Sequence, residues 1–543
     1  MPILNVKFLS AAMLAASIHL AAARPLYADP PARVARISFV TGDASIRHGT
    51  SAEWMAFLIN YPVTTGDELW TDAGSRAELH VGSTALRLGG GTALSVVLLE
   101  DDRFVLSLAL GKLALRVRSL DPSDHMQIVT PTATIAVLRA GDYNIAVDSL
   151  GQTVIAVRSG DAEVATAGAV DHVISSHVGI VSSEPGAALE TRVLSVEPID
   201  EFDSWAGLRA HEEDVSEAGR FVSMQMTGYE ALDGHGRWLD TPEYGAVWIP
   251  AEVGADWAPY RAGRWVWVDP WGWTWIDDQP WGFAPFHYGR WARYQNAWVW
   301  APGERIARPV YAPALVGFVG ATNWSAPAHF GGAGGVAWFP LAPGDPWVAP
   351  YHVTAQYARS VNPAYTHRAG IAAPGARYRN AQVAGAVTAV SRETFVGARP
   401  VRESAAALRT KDLQHVQVIA QAVPVTPRPE SRTTTPGDHP AAPSPRVVTR
   451  MTEIRALPPA DARAQADAVA QERAVAARQA LEHARLEDKH QQERSSLAPG
   501  KTSPSMQTRH ATETKSMEAR HAKENSAPRA APATSVAAKA PVR

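Results

Sequence analysis

The sequence predicts a mainly β protein. A β-sandwich or β-roll comes first, then a β module of short tryptophan-rich hairpins, then a tail that is mostly disordered apart from one solvated helix. Three observations predict this. Residues 34–165 alternate apolar and polar positions in short runs cut by Gly, Asp and Pro, the period-two pattern of strands with one buried face. Twelve of the 18 tryptophans fall between Trp238 and Trp300, interleaved with Pro and Gly. From Pro400 to Arg543 there is no Trp, Tyr or Phe, too little apolar payload to build a core.

The N-terminus reads as an address. Lys7 precedes the apolar stretch Phe8–Ile18 and the small-residue run Ala21-Ala22-Ala23, the layout of an export signal. The apolar part is too short to span a bilayer. Cleavage after Ala23 gives a signal peptide over 1–23 and an exported chain destined for periplasm, cell envelope or medium, with no transmembrane helix after signal removal. The chain has no cysteine, which excludes a disulfide framework, a thiolate nucleophile and Cys-ligated metal. Such a chain is stabilised by packing alone. Its net charge of −3 hides an asymmetry. Residues 351–543 hold 28 Lys and Arg against 16 Asp and Glu, a net +12, which leaves −15 for residues 1–350.

The first β domain is placed at 34–190. Ala77-Glu78-Leu79-His80-Val81 and Leu113-Ala114-Leu115-Arg116-Val117 show the alternation, and turn signals recur every 8–12 residues, as in a sandwich or roll. Gly66-Asp67 and Asp72-Ala73-Gly74-Ser75 read as turn chemistry, with a ligand site of Asp67, Asp72 and Arg76 as the alternative. Residues 197–228 read as an acidic amphipathic helix and linker. The tryptophan-rich module follows at 229–350. Within it Pro-Trp-Gly occurs at 270–272 and 280–282, and Gly-Arg-Trp at 263–265 and 289–291. Trp-x-Trp sets both indoles on one face of a strand, and Pro-Trp-Gly reads as a turn. Each buried indole removes roughly 150–250 Å² from water, so stacked rings supply the core that short hairpins lack. Arg264 and Arg290 are the expected cation–π partners. The alternative leaves indoles on the surface as a platform for glycans or peptides. That platform comprises Trp265, Trp267, Trp271, Trp273, Trp275, Trp281, Trp291, Trp298 and Trp300, with Asp269, Asp277 and Asp278 meeting sugar hydroxyls. An extension of low order is expected over 351–399, and a basic Ala/Pro-rich tail over 400–543. In that tail an Ala/Gln/Glu/Arg-rich stretch predicts a helix over about 459–497. Its apolar positions are mostly Ala, which favours a single solvated helix over a coiled coil.

Val40-Thr41-Gly42-Asp43-Ala44, Thr65-Gly66-Asp67-Glu68-Leu69-Trp70-Thr71-Asp72, Ser75-Arg76-Ala77-Glu78-Leu79, Gly82–Leu88, Leu110-Gly111-Lys112-Leu113, Thr130-Pro131 and Gly141–Ile145 follow one another in this order. By these residues the first domain resembles the FecR domain family. The resemblance implies a periplasmic β-rich interaction module. Gly141-Asp142 stands where many members have Gly-Thr, and the transmembrane signalling of ferric-citrate regulation does not carry over. The following region is similar to the Trp/Pro/Gly-rich segment found after that domain in exported bacterial proteins without an assigned activity.

Catalytic patterns are sparse. His211-Glu212-Glu213-Asp214 lacks the second histidine of a zinc-protease helix. Ala498-Pro499-Gly500-Lys501-Thr502 has neither the first glycine nor the strand of a phosphate loop. Asp277-Asp278 is a carboxylate pair of the kind a glycosidase needs, but neighbours on a strand face opposite sides. No cofactor or metal site is expected. The sequence points to a non-enzymatic exported envelope protein that acts as an interaction scaffold. A glycan- or peptidoglycan-binding module is the alternative, and a glycosidase-like hydrolase a more distant one. The expected partners are an envelope polymer or envelope protein rather than nucleic acid.

Overall fold

The computed structural model describes residues 29–49, 51, 53–166, 169–184, 188–193, 200–254, 256–319, 335–351, 353–362, 378–407, 418–419, 425–432, 442–455, 482, 486, 489–490, 493 and 504–525. The signal peptide expected over 1–23 lies outside these residues, as does most of the helix expected over about 459–497.

Two sheets share one long strand. The first runs, neighbour to neighbour, through Pro62–Val63, Ala35–Thr41, Arg76–Val81, Thr84–Leu88, the second half of Arg103–Val117, Gly141–Val147, Thr153–Ser159, His177–Val181 and Leu189–Val193. It is antiparallel throughout. The second runs through Met55–Ala56, Ala44–Arg47, Glu68–Thr71, Thr92–Leu99, the first half of Arg103–Val117, His125–Val129, Thr134–Val137, Asp161–Ala165 and Val170–Ile174. Only the step from Arg103–Val117 to His125–Val129 is parallel. The shared strand changes sheets at Gly111. There φ is +95°, and a Cβ would lie 2.4–2.8 Å from Thr92, so glycine is required. Leu79, Leu86, Leu94, Leu106 and Leu115 from the two sheets meet in one aliphatic cluster.

Each sheet has a covered outer face. Helix Glu201–Asp214 is capped by Asp200, whose side chain accepts from Asp203 N, and it packs Phe202 and Ala206 against Ala114 of the first sheet. On the second sheet, Trp70, Val105 and Val129 meet Met451 and Ile454 of helix Pro445–Arg455, with Val447 alongside. This corrects the expectation of a tail mostly disordered apart from one solvated helix over about 459–497. Val447, Met451 and Ile454 recur at helical spacing, a narrow stripe that suits an apolar patch already formed elsewhere. Met451→Arg is expected to release this helix. Limited proteolysis would then cut within 442–455 while Tm falls by only a few degrees; unchanged protection would refute the docking.

The tail also contains helix Pro504–Asn525. Its Glu513 accepts from Lys489 and pairs with His490, while its Arg509 and His510 pair with Glu493. The expectation of a single helix in this tail is therefore too low, because regular His/Glu/Arg spacing gives a polar helix polar partners.

The tryptophan-rich region forms hairpins Gly236–Thr241/Gly245–Pro250, Gly263–Val268/Gly272–Asp277 and Arg290–Tyr294/Ala297–Ala301. The first and third join where Trp248 pairs with Trp300. Pro270-Trp271-Gly272 is a hairpin turn, as the sequence indicates. A five-stranded sheet follows, in the order Ala406–Ala407, Thr388–Val390, Val336–Pro340, Val316–Val319, Val418–Ile419. The extension at 351–399 is therefore not of low order where it is described. It contributes helix Ala355–Val361, strand Thr388–Val390 and helix Arg392–Val396. Phe395 of the last packs on Trp265 and Trp273, with ring centroids 5.4 and 4.5 Å away. Among the described residues no helix is long and apolar enough to cross a membrane.

Candidate functional site

The hairpin Gly263–Asp277 brings four of the sequence-singled tryptophans to one place. Trp265 and Trp275 are cross-strand partners, as are Trp267 and Trp273. Both pairs meet edge to face, with centroids 5.5 and 5.6 Å apart, the geometry that ring quadrupoles favour. Trp338 joins Trp265 from the five-stranded sheet at 5.4 Å. Trp248 meets Trp281 at 4.9 Å, and Trp257 meets Trp291 at 5.4 Å. Indoles therefore join elements that have no strand pairing between them.

Eight of the nine tryptophans singled out in the sequence are buried: Trp265, Trp271, Trp273, Trp275, Trp281, Trp291, Trp298 and Trp300. They form core rather than an open surface. Trp267 alone is partly exposed. Arg290 is fully buried, but its guanidinium donates to the carbonyls of Gly289, Asp345 and Val361 and to Asn362 Oδ1. Backbone acceptors thus replace the expected indole for Arg290. Arg264 lies 4.0 Å from Asp278.

The carboxylates do not converge as a catalytic pair. Asp277 is buried, accepts from Trp275 Nε1 and from the backbone N of Gln279 at 3.0 Å each, and burial pushes its pKa well up. Asp278, just past the end of the strand, is exposed. Asp269 accepts from Trp267 Nε1 at 2.9 Å and pairs with Arg432 at 2.5 Å. In the first domain Asp67 accepts from Thr64 N and pairs with His48, Asp72 O closes a turn on Ser75 N, and Arg76 faces Glu201 at 3.5 Å. These are turn and surface roles.

What remains open among these rings is a cavity of about 510 Å³. Trp265, Trp267, Trp271 and Trp273 line it on one side, Phe318, Trp347 and Tyr351 on another, and Val425, Thr426 and Pro427 close an edge. Trp273 Nε1 donates to Val425 O at 3.0 Å. The sequence missed this last wall, because it is supplied about 150 residues downstream. Only the Pro and Val run at 423–429 was there to signal it.

A second constellation lies where the first sheet meets the helix and the hairpins. Glu78 and His80 point outward from Arg76–Val81, the positions an alternating strand gives to solvent, yet they are 0% and 2% exposed. Arg87 Nε donates to Glu78 Oε2 at 2.8 Å, and its Nη2 to Glu213 Oε1 at 2.6 Å. Arg209 grips Glu78 from the helix, at 2.7 Å. His80 has Nε2 3.0 Å from Glu213 and Nδ1 3.2 Å from Glu230. Glu230 holds Arg36 at 2.9 Å. Arg36 then donates to Asn60 Oδ1 and Pro280 O, while Asn60 donates to the carbonyls of Asp277 and Gln279. A buried polar bridge thus runs from the helix through both β regions. Glu78, His80 and Glu213 have the spacing of a metal site. Their oxygens, however, are already taken by Arg87, Arg209 and Arg118, and a divalent cation would join a cluster already rich in positive charge.

Burial opposes charge on all three groups, and their neighbours overcome it. Glu78 and Glu213 are held below the usual carboxylate range, chiefly by His80 and then Arg87. His80 is raised by Glu230 and Glu213. A raised histidine contributes fully below its unfolded pKa of about 6.5, and that contribution is lost as pH climbs through the raised folded value. A lowered carboxylate contributes above about pH 4.3, and loses this as pH falls through the folded value. Stability is therefore expected to peak between about pH 4.3 and 6.5 and to decline on the alkaline side. Thermal denaturation from pH 5 to 9 should show Tm falling for the native chain, with a flatter alkaline limb for His80→Gln. Parallel profiles would refute the linkage.

Two family models match separate stretches of the chain. Residues 67–163 match the family model described as FecR protein. The chain carries a FecR domain. Residues 229–345 match a family of unknown function, DUF6600, so the tryptophan hairpins belong to a separate recognised region. Two crystal structures of a candidate anti-sigma factor from Parabacteroides distasonis ATCC 8503 align at 17% and 16% identity, each with a TM-score of 0.21. Each alignment covers 23% of this chain and 59% of that one, so this chain spans less than two thirds of that protein. No curated protein matches the chain. The FecR domain supplies Glu78, His80 and Arg87 to the polar bridge. The DUF6600 region supplies Glu230, Pro280 and most of the aromatic cavity.

Proposed function

We propose that this chain is a non-enzymatic exported envelope protein, in which the FecR domain and the tryptophan-rich region act as one rigid interaction scaffold. The supporting observation is the buried joint at Arg36 and Asn60. Arg36 is 1% exposed and Asn60 fully buried, and each bonds to backbone of the hairpin region. A joint of this kind resists opening, because separation strands buried polar groups. Asp277, one of the two carboxylates considered for hydrolysis, is buried and bonded within the hairpin, and this favours docking over catalysis. The basic tail would extend the scaffold's reach toward anionic envelope components through salt-sensitive contacts.

Fractionation of cells expressing the full chain, combined with cross-linking, tests this reading. Recovery in the envelope fraction with a cross-linked envelope protein is expected. Recovery in the cytoplasm would overturn it. Capture on purified peptidoglycan, relieved by free oligosaccharide, would favour the glycan-binding alternative instead.

A further inference from the structure

We infer that strand Leu189–Val193, the last of the first sheet, pairs antiparallel with the same strand of a second copy of this chain, so that the sheet runs unbroken through a two-fold dimer.

The ends of the two sheets are not alike. One end of the first sheet is Pro62–Val63 and one end of the second is Met55–Ala56. Each is only two residues long, and a proline has no N–H to offer a neighbour, which are common ways of blunting an edge. Leu189–Val193 is five residues long, holds neither proline nor lysine, and follows His177–Val181 one for one without a bulge. Among the described residues no strand pairs with its other side. Such an edge presents backbone donors and acceptors in a row, a template for one more strand.

The core also runs on to this edge. Leu189, Thr191 and Val193 share a face, in register with Val181, Gly179 and His177, because alternate residues of a strand point the same way. Leu189 helps close the interior: a Cβ on Gly179 would lie 2.9 Å from its Cδ1 and 2.7 Å from Val173 Cγ2 of the second sheet. Val193, on the same face, is 68% exposed. An apolar face thus continues along the last strand and stops in solvent.

The order of residues selects the occupant. Leu-Glu-Thr-Arg-Val at 189–193 is complementary to itself about its centre. With Thr191 opposite Thr191, the antiparallel register sets Leu189 of each copy across from Val193 of the other, and Glu190 across from Arg192. Apolar and opposite-charge pairs directly across two strands are favourable, and like charges there are unfavourable. A two-fold contact makes each of these matches twice. The other five-residue edge, Val170–Ile174, fails the same comparison: His172 would stand across from His172, and Asp171 across from the buried Val173. Leu189–Val193 lies at the opposite end of the first sheet from Ala35–Thr41, which carries the Arg36 joint. Pairing therefore leaves that joint in place and gives one particle two tryptophan-rich regions.

Sedimentation equilibrium of the full chain tests this, with Tm measured for every variant. A mass rising with concentration toward twice that of the monomer is expected. Glu190→Arg and Arg192→Glu each place like charges opposite one another twice, and each is expected to weaken association by about tenfold. The double exchange Glu190→Arg/Arg192→Glu restores the match and is expected to recover association to within about threefold of the native chain. The chain has no cysteine, so Thr191→Cys, at an exposed position, can cross-link only to its own copy. Two Cα atoms across such a pair lie about 4.5–5.5 Å apart, within disulfide reach, and mild oxidation should give a covalent dimer. A native chain that stays monomeric, with Thr191→Cys left uncross-linked, overturns the inference. So does association that both single charge reversals leave unchanged, or that the double exchange fails to recover at native Tm. Cross-linking at His172→Cys in place of Thr191→Cys moves the contact to the other sheet and overturns it as well. A monomer still recovered with the envelope sinks the dimer and leaves the scaffold reading standing.

Discussion

Glu213→Ala is expected to destabilise the protein by about 3–5 kcal/mol, because removing one member of a buried ion network strands the others. Glu213 is 6% exposed and faces His80, Arg87 and Arg118. Its loss leaves three cationic groups under helix Glu201–Asp214 with their shared carboxylate gone. Glu212, one residue earlier, has a side chain 65% exposed and pairs only with Arg209 among the ion pairs described. Glu212→Ala is expected to stay within about 0.5 kcal/mol of the native chain. Urea denaturation of both variants checks the contrast, and the helix should become the first site of proteolysis in Glu213→Ala. Equal costs for the two would show that the network adds nothing to docking of the helix.

Trp275→Ala is the second large effect, at about 3–5 kcal/mol, the usual cost of emptying a large aromatic from a core. The Trp275 ring is fully buried and touches Trp265, Trp338, Tyr260 and Phe286. Its loss also leaves Asp277 without the Trp275 donor. Trp275→Phe refills much of the space but not the hydrogen bond, and is expected to cost about 1–3 kcal/mol. Trp267→Ala, on a partly exposed ring, should cost less than either. Calorimetry or denaturant melts rank the three. A ranking with Trp267→Ala as the most damaging would contradict a core built on indoles.

Strands were legible because alternation is local. Leu79 and Val81 face inward and Glu78 and His80 outward, as the pattern Ala77-Glu78-Leu79-His80-Val81 requires. The hairpins were legible for the same reason, with Pro270-Trp271-Gly272 marking a turn and Trp-x-Trp setting two rings on one face. Expectations failed where a distant segment covers a surface. Outward Glu78 and His80 look solvated until helix Glu201–Asp214 lies over them. Met451 and Ile454 look like strays in a polar tail until the outer face around Trp70 receives them. Thr388–Val390 reads as loosely ordered until it pairs with Val336–Pro340.

The candidate site divides in the same way. Its tryptophans were visible by count and spacing, but their burial was not, since an indole in a strand reads alike whether a neighbouring sheet covers it or water does. Arg290 shows the limit well. Its position beside Trp291 invited a cation–π contact, and the fold gave it backbone carbonyls from three separate segments.

By itself the sequence determined the order of regions, the strand pattern, the lack of sulfur chemistry and the dependence on indoles, because each is a matter of composition or near-neighbour spacing. Tertiary structure alone decided which polar groups went underground, which rings kept an open side and which stretch of tail closed the cavity. Those outcomes depend on contacts between residues a hundred or more positions apart, and nothing in local periodicity encodes them.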